Sequence, residues 1–165
     1  MYTRILVAID DSATSAKALD EAINLARMLG AALCVAHVAD EAPITQHGMG
    51  LGTYIDVDKV KAEMCHSGNS LLDAAVAAAG ASGLQAERVL VESTRRRVAE
   101  VIADAARTWN ADLVVIGTHG RRGFERLLVG SVAENLVRIA ATSLMLVREG
   151  EAQASGAAAE GARHA

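Results

Sequence analysis

Residues 117–131 read Gly117-Thr118-His119-Gly120-Arg121-Arg122-Gly123-Phe124-Glu125-Arg126-Leu127-Leu128-Val129-Gly130-Ser131. Glycine carries no Cβ, so a glycine-rich turn lets backbone N–H groups come close to a bound group. Such N–H groups favour an anion, more so when a helix starts next and presents its positive end. The chemistry on offer is phosphate binding, by backbone atoms more than by side chains. Arg121 and Arg122 lie inside the stretch and either contact a phosphate or stay solvated. A second candidate is Asp10-Asp11-Ser12. A carboxylate repels a phosphate, so Asp10 would hold a divalent cation against one or accept hydrogen bonds from a ribose. The plainer reading of the same three residues is helix capping.

Two further patterns bear on these candidates. Ser131-Val132-Ala133-Glu134 has the spacing of a capping box, with Ser131 bonding the Glu134 N–H and Glu134 reaching back. Arg95-Arg96-Arg97 sits at a predicted helix start, where each positive charge opposes the macrodipole by about 0.3–1 kcal/mol. A nearby anion, an acidic partner or solvation would relieve that cost.

Other chemistries find no support in residue spacing. His37, His47, His66 and His119 show no ligand spacing, so a built-in zinc site is not expected. Gly48-Met49-Gly50-Leu51-Gly52 lacks the dinucleotide fingerprint and follows no strand directly. There is no GxxxxGK[ST] loop, and no Ser-His-Asp or Cys-His arrangement can be argued from position.

The elements that must position the glycine stretch follow from hydrophobic pattern. Ile5-Leu6-Val7-Ala8-Ile9 is continuously apolar, as a parallel strand buried on both faces should be. Leu19, Ala22, Ile23, Ala26 and Leu29 then fall on one helical face, and Gly30 stands at the C-terminal cap position. Strand two is expected over 33–38, and residues 40–55, with Pro43 and three glycines, read as a mobile loop. A helix over about 56–79 follows, with Gly68 inside it as a possible break and Gly80 and Gly83 as its end. Strand three is expected over 88–91, a helix over 95–108, strand four over 113–116, a helix over 131–140 and a last strand over 144–147. Strands alternating with helices predict an α/β fold: one domain over 1–148, an open parallel sheet and helices on both faces. The Ala-, Gly- and Glu-rich tail, 149–165, is expected to be disordered.

Composition sets outer limits. Aromatics are only Trp109, Tyr2, Tyr54 and Phe124, so the core must be aliphatic and base stacking is poorly served. The net charge of −4 leaves no basic footprint for nucleic acid. Cys34 and Cys65 make no CxxC pair, so a reduced, cytoplasmic setting is the expectation. Met1 to Arg4 runs directly into a strand-like segment with no room for a signal-peptide core, and no apolar run reaches the roughly 18 residues of a membrane span.

Three motifs in order carry a resemblance. Gly117-xx-Gly120, nine residues, then Gly130-Ser131 resembles the nucleotide-binding signature of the universal stress proteins. The opening from Ile5 to Ser12 resembles that family's first strand and Asp-x-Ser turn, and Ala36-His37-Val38-Ala39-Asp40 the end of its second strand. The resemblance covers about residues 2–148. It implies a five-stranded sheet of order 3-2-1-4-5 with ATP at the C-terminal ends of strands one and four. It implies Asp10 beside the ribose and the backbone of Val38 at the adenine. It assigns Gly117, Gly120, Gly130 and Ser131 to phosphate and ribose, with Ala8, Ile9, Thr118, His119 and Val132 lining the site by adjacency. Mg²⁺ or Mn²⁺ would accompany the nucleotide, though no metal ligand set can be named. The family commonly dimerises through its last strand, here Leu144 to Val147.

Two departures stand out. Ala141-Thr142-Ser143 replaces a Pro-Cys-Pro-like turn, and Thr94-Arg95-Arg96-Arg97 replaces a Gly-x-Pro segment. The resemblance implies a dimeric, nucleotide-dependent stress-response module with little turnover and no catalytic residue. The alternatives are a slow ATPase or phosphotransferase, with Arg121, Arg122 and a metal near Asp10 stabilising the transferring group, and a nucleotide-independent interaction protein.

Overall fold

The structure is a computed structural model that describes residues 1–40, 56–93, 96–118 and 130–148. The predicted loop over 40–55 and the predicted tail over 149–165 lie outside the described residues, apart from Asp40.

Strand β1, Arg4–Ala8, is fully buried from Ile5 onward. Helix α1, Ala13–Leu29, begins at Ser12, whose hydroxyl accepts the Ser15 N–H at 3.2 Å. It ends at Gly30, where φ is 64° and the N–H bonds back to the carbonyls of Ala26 and Arg27. That left-handed conformation favours glycine, as the sequence pattern predicts. Strand β2, Ala32–Asp40, and strand β3, Ala86–Ser93, each run beyond their expected ends. They pair over eight positions, from Leu33–Ala86 to Asp40–Ser93. The β3 residues Glu87 and Glu92, flanking the expected strand, hid its length, because an edge strand tolerates charge.

Between β2 and β3 lies helix α2, Val57–Ala81, capped by the Asp56 carboxylate at the Lys59 N–H. It is unbroken at Gly68 and continues through Gly80. Gly68 is there for packing. A Cβ on it would lie 2.8 Å from Leu90 Cδ1 and 2.9 Å from His37 Cδ2. Helix α3, Val98–Thr108, strand β4, Leu113–Gly117, helix α4, Ser131–Ile139, and strand β5, Ser143–Val147, complete the described elements.

All neighbouring strands are parallel and stand in the order β3-β2-β1-β4-β5. Alternate residues of the central strands feed opposite cores. Ile5, Val7, Val35 and Val115 meet α1 and α2 through Ala18, Ala22, Ala26, Leu72, Ala75 and Ala79. Leu6, Ala8, Ala36 and Val114 meet α3 and α4 through Ala99, Ile102, Ala106, Ala133 and Leu136. Alanine at these helix positions lets the backbone settle close to the sheet. Cys34 belongs to this interior, and burial, with help from the Glu87 charge and against that of Arg4, pushes its thiol up to about 11. It is a packing residue and not a nucleophile.

The N-terminal edge of the sheet is closed by one carboxylate. Asp112 accepts the Thr3 N–H at 2.8 Å, the Thr3 hydroxyl at 2.7 Å and the Arg4 N–H at 3.0 Å. Arg4 also lays its guanidinium 4.0 Å from the Trp109 ring centre and donates Nε–H to the Trp109 carbonyl at 2.9 Å. Burial pushes the Asp112 pKa up, but the hydrogen bonds from Thr3 and Arg4 outweigh it and hold the carboxyl below its ordinary value. A lowered native pKa contributes stability above the unfolded value and loses it as pH falls through the native one. Asp112→Ala is therefore expected to lower the unfolding free energy by about 1–2 kcal/mol at neutral pH. Urea denaturation of both proteins across pH should show that gap constant at pH 5 and above and shrinking below about 4. A gap that persists at low pH would count against the clasp.

Candidate functional site

The strand order reverses between β1 and β4. The chain leaves β1 toward β2 on one side and returns from β3 to β4 on the other. Ligands of open parallel sheets bind beyond the strand ends at such a point. Ala8 pairs with Ala36 on β2 and Ile116 on β4. Two residues further along each chain come Asp10, Val38 and Thr118. The predicted site residues of β1, β2 and β4 thus share one edge of the sheet, with Ala8 and Ile9 buried behind it and Val38 half-buried.

The β1 exit is held by local polar bonds. The Ile9 N–H donates to the Ala36 carbonyl at 2.9 Å, and the Asp10 N–H to the Ser15 hydroxyl at 2.8 Å. Asp10 Oδ1 accepts both the N–H of Ser12, at 3.0 Å, and its hydroxyl, at 2.5 Å. Ser12 in turn caps α1. Capping therefore accounts for much of Asp10-Asp11-Ser12, and it fixes the Asp10 carboxylate at the sheet edge. Among the described residues no three His, Cys, Asp or Glu side chains group to hold a metal ion.

On the β4 side, Gly117 packs against α1. A Cβ there would come within 3.1 Å of the Thr14 carbonyl carbon and of Thr14 Cγ2. The first glycine of the signature thus sits in close helix–strand packing, whatever binds beyond it. Thr118 is 2% exposed. Its N–H donates to the Val147 carbonyl at 2.8 Å, and its carbonyl accepts the Gly130 N–H. The chain consequently leaves β4 and enters α4 at one place. His119, Gly120, Arg121 and Arg122 lie between and outside the described residues.

At the start of α4 the structure corrects the predicted capping box. Gly130, not Ser131, is the N-cap, and it makes no side-chain cap bond. Ser131 is the first helical residue, and Glu134 turns away to bond Arg138 Nη2 at 2.6 Å. The Glu134 N–H goes to the Gly130 carbonyl at 2.9 Å. Among the described residues nothing caps the N–H groups of Ser131, Val132 and Ala133. The beginnings of α1 and α4 therefore differ: the Ser12 side chain caps the first, and no described side chain caps the second. Gly130 has φ of −70°, a value any residue adopts, so the backbone conformation does not demand glycine there.

The arginine triplet resolves without a ligand at Arg96. Its guanidinium bonds Asp104 Oδ2 at 2.5 Å and lies 3.8 Å from Glu100 Oε2. The hydrogen bond from Arg96 holds the Asp104 carboxyl below its ordinary value, with Arg107 adding to it. An acidic partner within the same helix thus relieves the charge at the helix start. Arg97 is the N-cap residue of α3, and Arg95 lies outside the described residues.

Two contributors escaped sequence reasoning. Ser15 is buried and receives the Asp10 N–H; a serine in the first turn of an apolar helix was its only signal. His37 Nδ1 lies 2.8 Å from the Ile9 carbonyl oxygen. A histidine inside an apolar strand needs a partner, and here it is the neighbouring strand's exit.

A sequence profile of the Universal stress protein family matches residues 1–148. The chain belongs to that family. Universal stress protein YxiE of Bacillus subtilis is 31% identical over 151 residues, 90% of this chain and 100% of that protein. A crystal structure from the universal stress protein family of Burkholderia pseudomallei is 33% identical, covers 88% of this chain and 96% of its own, and has a TM-score of 0.71. The universal stress protein of Archaeoglobus fulgidus solved in complex with dAMP is 26% identical, covers 88% of this chain and 98% of its own, and has a TM-score of 0.60. The universal stress protein fold of this chain thus has the sheet order its motifs imply, and no described helix is long and apolar enough to cross a membrane.

The contact at Gly117 makes a specific forecast. Gly117→Ala is expected to destabilise the fold by about 1–3 kcal/mol, because the new methyl meets Thr14 backbone. Chemical denaturation with no ligand present checks this. Unchanged stability would return Gly117 to a purely ligand-directed role.

Proposed function

We propose that this chain binds ATP at the C-terminal edge of β1, β2 and β4, and acts as a nucleotide-dependent module with little turnover. The observation that carries the reading is the open start of α4. Gly130 brings no side chain, no described residue caps the first N–H groups, and the macrodipole adds positive potential there. A phosphate satisfies all three conditions. The A. fulgidus relative, whose complex holds an adenine nucleotide, supports the class of ligand.

In this reading Gly130, Ser131 and Val132 meet the phosphates from α4. Gly117, Thr118, His119 and Gly120 meet them from β4. Asp10 accepts hydrogen bonds from the ribose hydroxyls, and the Val38 backbone recognises adenine. Ala8 and Ile9 form the wall behind. Mg²⁺ or Mn²⁺ enters with the nucleotide, held mainly by its phosphates, since no three-ligand cluster stands ready among the described residues.

Calorimetric titration with ATP tests the site. Wild type should bind, and Gly130→Val, folded by circular dichroism, should lose at least tenfold in affinity, about 1.4 kcal/mol. Equal affinity in the folded variant, or none in wild type, would sink the proposal. Phosphate release above buffer rates that Asp10→Ala abolishes would move the reading to a slow ATPase.

The same reading includes a homodimer through β5. Among the described residues Leu144 to Val147 forms a sheet edge, and helix α4 exposes Val137 at 57% and Ile139 at 47%. A second copy would cover both the unpaired edge and that apolar surface. Sedimentation equilibrium should return twice the chain mass at micromolar concentration. A monomer there would exclude this interface.

A further inference from the structure

We propose that His37 is a positioning residue for the nucleotide site, setting the aim of Asp10 through a single peptide plane. The inference rests on the nucleotide reading above. Its basis is the Ile9–Asp10 peptide, which is fixed at both polar atoms. The carbonyl of Ile9 takes His37 Nδ1 at 2.8 Å, and the N–H of Asp10 goes to the Ser15 hydroxyl at 2.8 Å. A peptide plane held at both ends cannot rotate without breaking a bond, so the Cα of Asp10 is placed with it, and the bonds from the Ser12 N–H and hydroxyl to Asp10 Oδ1 then hold the carboxylate.

The tautomer follows from the partner. A carbonyl oxygen only accepts, so Nδ1 carries the proton and Nε2 of the neutral ring is an acceptor. The ring has one place to sit. On one side is the Ile9 carbonyl; on the other is α2, where Gly68 leaves the room that a Cβ would take, 2.9 Å from His37 Cδ2 and 3.5 Å from Nε2. The glycine inside α2 thus has a role reaching beyond packing: it keeps the imidazole in line with Ile9. His37 also directly precedes Val38 on β2. One side chain therefore ties the strand assigned to adenine to the turn assigned to ribose, with α2 as the backstop.

The test compares a variant that keeps the donor with one that loses it. Asn places an amide N–H near the ring's Nδ1 position, and Leu fills the space with no donor. ATP titration of His37→Leu should show about tenfold weaker binding, and His37→Asn should stay within about threefold of wild type. Equal loss in both variants, or no loss in His37→Leu, overturns the inference. Should His37→Leu not fold, Gly68→Ala gives a second route, because its methyl presses on the ring from α2; undiminished ATP affinity in that variant also overturns it. Nitrogen-15 NMR of the wild-type imidazole reads the tautomer independently, and an Nε2–H form would be fatal to the idea. Wild type that binds no ATP defeats the nucleotide reading itself, whereas wild type and His37→Leu binding equally defeats only the positioning role.

Discussion

Burial of β1 and β4 on both faces is the constraint from which the remaining architecture follows. Parallel strands of this kind require helices above and below, and each crossover must return the chain to the same end of the sheet. With both faces given to aliphatic packing, polar chemistry is confined to the strand ends. The N-terminal end is spent on closure, through Asp112 and the Arg4–Trp109 stack. The C-terminal end is left for Asp10, Val38 and Thr118, and the start of α4 opens onto it. The place of the site is thus a remainder: it is where the sheet has no further need of apolar cover.

The two helix starts at that edge illustrate how similar local chemistry is turned to different ends. Ser12, Asp10 and Ser15 hydrogen-bond one another, and the Ser12 hydroxyl caps the first turn of α1 at the Ser15 N–H. At α4 a glycine occupies the cap position and the nearest acidic side chain pairs along the helix with Arg138. The two ends carry the same dipole, yet among the described residues only the first has a side-chain cap. Side-chain chemistry within a few residues, and not the dipole alone, decides which helix start can serve a ligand.

Much of this was legible in the residues. The central strands announced themselves as unbroken aliphatic runs, Gly30 bounded α1 correctly, and of the two cap candidates Asp11 and Ser12 the helix uses Ser12. Three motifs in order pointed to the family and, through it, to the strand order. What stayed hidden depended on contacts between distant residues. The reach of β3 was masked by edge charges, and Gly68 looked like a break because His37 and Leu90 come from other strands. Arg96 looked unrelieved because its partner stands eight residues on. The Ser131–Glu134 spacing suggested a box, but the chain enters α4 through the Thr118 carbonyl, which moves the cap back to Gly130. Spacing along the chain cannot reveal which neighbour wins when two partners compete for one side chain.

The bond between the Thr118 carbonyl and the Gly130 N–H has a consequence for how such a protein can diverge. It makes the junction of β4 and α4 a clasp whose two halves belong to the framework, while residues 119–129 are spliced between them. The bond therefore sets the spacing between the end of β4 and the start of α4 from framework atoms alone. Two backbone atoms, and no side chain, make that clasp, so the identity of Thr118 and of Gly130 can change without removing it.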